Sequence, residues 1–372
     1  MIINYKNDID LSTFVIVFKG STMLEHKGNY GTSHLIEHLL CKSFDHLQDN
    51  FQRYDISWNA YTSNENIVFY IKGLDKYINE YKYELLDLIL NYIPNEEDFN
   101  KEKNIIIEEY LNSFNEQLNS HLLNLERKLF NYYSPIGLLE DIKNYSYNEC
   151  INTINKYYKK PSQIINISKN NPFKNEIDLS NKNLSKHLKY KVHNVQLELN
   201  NNFNNSTSIV LISPLLNNIN DYPYINMITT ILGDGLNSPL YQEIREKNAL
   251  VYYIHSYMYD ITPNQYAITF ATETSNDNVN TVINKIKDIL NNKNKYLTKE
   301  RFNIVKDNIK IKKIKNNILI HNNFNKFINP KTSLLENMIN EISFNKINKI
   351  YNKYFNIDNY YISIYNEEFK KK

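Results

Sequence analysis

The feature that most restricts the fold is an order of elements that occurs twice, once on each side of a polar stretch at 169–190 rich in Asn, Lys and Ser and containing Pro172. Before it, the pattern predicts a strand at Thr13–Lys19, a helix at Thr32–Phe44, strands at Ser57–Thr62 and Ile67–Ile71, helices at Tyr77–Tyr92, Glu97–Phe114 and Glu116–Tyr132, two helical pieces in 138–158 and a strand at Gln163–Ser168. After it come strands at Lys191–Leu199 and Ser208–Ile212, helices at Tyr222–Leu232 and Pro239–Asn248, strands at Val251–Tyr259 and Gln265–Thr272, helices at 276–291, 298–320 and 331–354, and a last strand at Tyr360–Tyr365. Two runs of similar length, each setting helices against short strands, imply an α+β fold of two similar domains. Each domain is expected to be a mostly antiparallel sheet with helices packed on one face. The expected boundaries are 1–170, a linker at 171–190, and 191–372.

At 372 residues with 42% apolar content the chain can fill two cores. Its 43 basic and 41 acidic side chains nearly cancel, so no field of one sign gathers nucleic acid or an anionic membrane. The longest apolar runs, such as 209–216, fall short of the roughly 20 residues that span a bilayer. No export or organelle signal precedes the first strand. Cys41 and Cys150 are the only cysteines and lie far apart, which argues for a reducing compartment, by default the cytoplasm. Asn, Lys, Ile and Tyr are over-used everywhere while glycine occurs seven times, so each glycine marks a place of backbone need.

The chemistry concentrates in GTSHLIEHLLC, which contains H-x-x-E-H. On a helix His34 and His38 share a face and Glu37 borders it, bringing two imidazoles and a carboxylate to one point. A catalytic zinc takes three protein ligands and a water whose pKa it lowers to about 7, and a neighbouring carboxylate then takes the proton. The third ligand has to come from elsewhere. In NEEDFNKEKNIIIEEYLNSF, Glu102 and Glu109 are seven apart and lie on one face of a helix, whereas Glu108 points away. The spacing assigns Glu109 as the ligand and Glu102 as a group that holds a ligand or contacts the water. Cys41, beside Leu39 and Leu40, reads as a small core residue rather than as a thiolate ligand.

These residues resemble the pitrilysin, insulin-degrading enzyme and mitochondrial processing peptidase family. The similarity extends to Gly20-Ser21 with Glu25, to WNAYTSNENIVFY with Asn59, Ala60 and Thr62, to EKNIIIEEY, and to Ser134-Pro135-Ile136-Gly137. In the second half LGDGLNSPLYQEIREKNALVYYIHSY is similar to the family's segment in which an Arg and a Tyr reach the substrate, here Arg245 and Tyr252. Asp55 and Ala249 stand where the family usually has glycine, and the gap from His38 to Glu109 is shorter than its norm.

The resemblance implies a zinc endopeptidase with one zinc per chain, held by His34, His38 and Glu109, with Glu37 as base. It implies substrate contacts from Arg245 and Tyr252, and an extended, unfolded peptide or leader segment pairing with the strand of Asn59, Ala60 and Tyr61. Members close two halves into a chamber, and this chain is one half's worth, so a homodimer or a heterodimer with a related subunit is implied. The other readings are a structural or peptide-binding subunit without catalysis, and an active subunit completed by a zinc-less partner.

Overall fold

In the computed structural model of the protein, residues 1–174, 177–179, 206–320, 323–329 and 331–366 are described. The chain forms two compact units. One takes Met1–Tyr110, Tyr133–His187 and Asn316–Pro330, the other Leu111–Tyr132, Leu188–Lys315 and Lys331–Lys372. The sequence boundary does not anticipate the two exchanged segments, 111–132 and 316–330. The expected strand at Lys191–Leu199 lies outside the described residues, as does most of the linker. At the linker's start Phe173 is buried against the Phe14 ring and Asn171 bonds to Asp75, which ties these residues to the first unit.

The first unit is built on a five-stranded sheet of order β1-β5-β2-β4-β3: β1 Ile2–Lys6, β2 Leu11–Lys19, β3 Ser57–Thr62, β4 Asn66–Leu74 and β5 Gln163–Ser168. All pairings are antiparallel except β1 with β5. β1 was not expected, because its residues are mostly exposed and give no alternating pattern. β2 is central, and its run Phe14–Phe18 is fully buried, which is what a strand covered on both faces looks like. Val15 and Val17 point to one face, where Val68, Ile165, Ile167, Ile320 and Phe324 join them. Phe14, Ile16 and Phe18 alternate with them to the other face, where helix Asp75–Asn91 packs on β2 and β4. β3, the strand expected to receive substrate, is an edge: β4 is its only partner among the described strands.

The second unit carries an antiparallel sheet of order β7-β8-β6-β9: β6 Ser206–Ile212, β7 Val251–Thr262, β8 Gln265–Ser275 and β9 Tyr361–Tyr365. Ile209, Leu211, Ile268 and Phe270 face the main helical layer, which includes Tyr222–Gly233, Val279–Asn291 and Phe344–Tyr354. On the other face Val210, Ile212, Ala267 and Ala271 pack on Leu125, Leu129 and Phe130, the apolar side of the segment 117–130. Two expected helices are altered. The stretch 331–354 divides into Lys331–Met338 and Phe344–Tyr354, the second opened by the Ser343 hydroxyl accepting from the Lys346 amide. The segment at 239–248 is a single π-helical turn, Tyr241–Glu246, after which Ala249 takes the left-handed conformation at φ 49°.

Helix Gln117–Leu125 is fixed to its sheet by polar contacts as well. The Gln117 amide donates to the carbonyls of Ser206 and Tyr365, and the buried His121 ring bridges Ser208 on β6 (2.7 Å) and Ser363 on β9 (2.5 Å) while stacking on Tyr365. A neutral imidazole offers one donor and one acceptor, which suits two hydroxyls that can each do either. Burial, then the nearby Lys128, lowers the His121 pKa to about 3. The unfolded chain therefore takes up a proton near pH 6.5 that the folded chain refuses, so stability is lost as pH falls from about 6.5 towards 3. By this linkage the stability of the protein relative to His121→Gln should shrink by about 2 kcal/mol between pH 7 and pH 5. Urea unfolding of both proteins at the two pH values measures it, and a pH-independent difference would show that His121 is not the titrating group.

Candidate functional site

The helix carrying H-x-x-E-H, Thr32–Cys41, buries Leu35, Ile36, Leu39 and Leu40 completely, and this fixes its rotation about its axis. Its start is pinned by backbone geometry. Gly31 precedes it at φ 95°, and a Cβ there would come within 3.0 Å of the Gly137 Cα. A Cβ on Gly137, at φ 67°, would stand 2.3 Å from backbone atoms of Tyr30 and Gly31. The turn Ser134–Gly137 thus lies directly on the helix start, and neither glycine can carry a side chain. The buried Glu25 carboxylate accepts from the Gly31 amide (3.0 Å) and the Ser33 amide (2.7 Å), satisfying donors that the first turn leaves open.

So oriented, His34 and His38 meet edge to face, ring centres 4.9 Å apart. Glu109, on helix Glu96–Asn115, reaches both: its carboxylate oxygens lie 3.7 Å from His34 Nε2 and 3.8 Å from His38 Nε2. Donor atoms of the three residues fall within 4.8 Å of one another, and no other such group occurs among the described residues. The distances are too long for hydrogen bonds. They are close to the roughly 3.3 Å between two ligands of a tetrahedral ion with bonds of about 2 Å. Burial, then the His38 charge, lowers the His34 pKa to about 4, so its imidazole is neutral, as a metal ligand must be. Two imidazoles and a carboxylate at this separation are a donor set that fits zinc.

Glu102 lies on the same side of its helix as Glu109, against His38. Its carboxylate approaches His38 Nδ1 at 3.2 Å, leaving Nε2 for the metal, and Lys42 sits 3.4 Å from its other oxygen. Glu108 is exposed. Glu37 is buried, its pKa is raised by that burial, and it accepts a 2.8 Å hydrogen bond from Thr62 on β3. Cys41 is not one of the converging donors. Burial, then the charge of Glu37, raises its pKa, so it stays a thiol. It lines a cavity of about 270 Å³ with Glu37, His38, Trp58 and Ala60.

The three β3 residues differ. Asn59 and Ala60 border the cavity. The Tyr61 side chain shares the face of Asn59, opposite Ala60, and donates to Asn325 (2.7 Å), so only its backbone is available on the strand edge. Arg245 and Tyr252 belong to the other unit, where the guanidinium lies 4.7 Å from the Tyr241 ring centre and 5.0 Å from that of Tyr252, and bonds to the Tyr241 hydroxyl. Tyr252 is 80% exposed and is no core residue. The parts played by Glu25, Thr62, Lys42 and Tyr241 are not visible in the sequence. Glu25 caps a helix eight residues on, beyond any capping-box spacing, and Thr62 meets Glu37 only through strand pairing.

Residues 1–134 match the family model described as insulinase (peptidase family M16), and residues 152–309 match that of the peptidase M16 inactive domain. An uncharacterized zinc protease of Rickettsia felis is 24% identical over 277 residues, 67% of this chain and 65% of that protein. The human mitochondrial-processing peptidase subunit beta is 25% identical over 158 residues, 38% of this chain and 31% of that protein. These matches span less than two thirds of the relatives' own lengths. Among solved structures, a protease from Helicobacter pylori superposes with a TM-score of 0.74 at 15% identity, over 98% of this chain and 97% of that one. A peptidase M16 inactive domain from Pseudomonas fluorescens does so with a TM-score of 0.76 at 13% identity, over 98% and 94%.

If the three donors act together, protein loaded with zinc should hold about one ion per chain. Glu109→Gln should weaken zinc binding most, Glu102→Gln by about tenfold, and Glu108→Gln not at all. Competition against a chromogenic chelator gives the order. Loss of affinity in Glu108→Gln with retention in Glu109→Gln would overturn the assignment.

Proposed function

We propose that this chain, which belongs to the insulinase (M16) family, is a zinc-dependent endopeptidase hydrolysing bonds in unfolded peptides or leader segments. The observation that carries this reading is the convergence of His34, His38 and Glu109 beside a buried carboxylate, Glu37, next to an edge strand. A structural or peptide-binding subunit would need none of the four. Zinc held by the three side chains would supply Lewis acidity towards a water and a peptide carbonyl. Glu37 takes the proton of the attacking water and returns it to the leaving amine. Its raised pKa brings it closer to the operating pH, and the Thr62 hydrogen bond fixes the oxygen that does not receive the proton. Glu102 holds the His38 ring. The outer edge of β3 at Asn59 and Ala60 pairs with an extended peptide, so recognition rests on backbone hydrogen bonds with a side chain seated in the adjoining cavity. The two free cysteines accord with the cytoplasm as its compartment.

Arg245 and Tyr252 act on substrate at the metal site of a partner chain, a second copy or a related subunit. The exposed Tyr252 ring, held against Arg245, supports this, because a cation and a phenol hydroxyl presented together suit a substrate carbonyl or carboxylate.

The decisive variant is Glu37→Gln, which keeps shape but cannot accept a proton. It should retain zinc and lose about 10³-fold in turnover of a quenched peptide. Turnover near that of the wild type would remove Glu37 from the mechanism. For a homodimer, subunits of Glu37→Gln mixed with Arg245→Ala/Tyr252→Ala should regain about a quarter of wild-type activity, since half the dimers are mixed and each has one intact site. No recovery, with exchange confirmed by tagged chains, would refute the shared site.

A further inference from the structure

Helix Lys299–Ile318 is apolar on two sides. Phe302 and Ile309 are buried in the core of the second unit. On the outer side Ile304, Ile311, Ile314 and Ile318 are 54%, 51%, 58% and 61% exposed. At about 100° per residue these four fall within an arc of about 80° and run about 21 Å along the helix. The chain's high isoleucine content does not explain the stripe. Of fifteen large apolar side chains exposed among the described residues, five lie between Ile304 and Leu319.

The charges on this helix are equally uneven. It carries seven basic residues, Lys299, Arg301, Lys306, Lys310, Lys312, Lys313 and Lys315, against Glu300 and Asp307, an excess of five, whereas the whole chain has a net charge of +2. Lys312 and Lys315 lie along one flank of the isoleucine arc, whereas Lys310, on the other flank, is paired with Asp307 at 3.0 Å, and Glu300 and Asp307 fall within the arc. The overall charge balance conceals this local concentration.

We infer that this outer helix face docks on an anionic lipid surface. An aliphatic ridge bordered by the exposed Lys312 and Lys315 can lie in a membrane interface, with side chains entering the acyl boundary and ammonium groups reaching headgroups beside it. The excess of five positive charges on the helix makes an anionic surface the complementary one. Such docking needs no membrane-spanning segment, and no helix among the described residues is long and apolar enough to be one.

The test is sedimentation of the full chain with vesicles of phosphatidylcholine alone or with phosphatidylserine. The protein should bind the anionic vesicles at low salt and be released at high salt. Ile311→Asp/Ile318→Asp and Lys312→Glu/Lys315→Glu should each weaken binding by about tenfold or more, while peptide turnover and thermal midpoint, which report a folded chain, stay unchanged. Equal binding to both vesicles, no binding, or binding indifferent to the isoleucine pair would overturn the inference. Self-association abolished by Ile311→Asp/Ile318→Asp, without vesicle binding, would assign the face to a second copy instead.

Discussion

Everything at the metal site depends on the rotational setting of one ten-residue helix. Burial of Leu35, Ile36, Leu39 and Leu40 leaves the helix Thr32–Cys41 a single orientation, and that orientation directs His34 and His38 at Glu109 and Glu37 at Thr62. Each fully buried leucine or isoleucine is worth about 1.5–3 kcal/mol relative to exposure. Turning the helix by one residue would expose such side chains and bury imidazoles in their place. The apolar face is therefore what makes the polar face accurate. The axial position is set by a different constraint, the close approach of Gly31 and Gly137, where contact between backbones leaves no room for adjustment.

The site also illustrates how unlike environments separate similar groups. Three glutamates lie near the histidines, in three different surroundings. Glu37 is buried, which favours its neutral form against the opposing effect of the Thr62 hydrogen bond. Glu102 lies between a ring nitrogen and the Lys42 ammonium, as suits a fixed anion that orients a neighbour. Glu109 is the most open of the three and faces both Nε2 atoms, as an exchangeable metal ligand should.

That His34, His38 and Glu109 converge was legible in the sequence because helical periodicity is short-range: spacings of three, four and seven determine which side chains share a face. That rule also separated Glu109 from Glu108 without tertiary information. Strand cores were legible for a similar reason, and the strand expected at Gln163–Ser168 has the same bounds in the structure, with all six residues buried. What could not be read depends on pairing across long separations. β1 is recognisable only by its partner β5, 162 residues away. The split of 331–354 is hidden because Ile339 and Ile342 stay buried through the break and maintain the apolar period. The exchange of 111–132 and 316–330 between units has no local signal either.

The low glycine content connects these points. Three residues other than glycine hold a positive φ, Asp55 at 52°, Asn131 at 50° and Ala249 at 49°, whereas Gly28 at φ 99° and Gly235 at φ 80° are glycine although open space surrounds them. Such a conformation costs an alanine about 1–2 kcal/mol, an amount the surrounding packing can offset. Where the backbone also touches backbone the cost is a steric overlap that no packing offsets, and glycine is found at 31 and 137. Dihedral strain near φ 50° is thus tolerated in this chain, and the overlap at Gly137 is not. The tightest overlap lies at the start of the helix that carries the metal donors, where a shift of a few tenths of an ångström would be transmitted along a rigid element to His34 and His38.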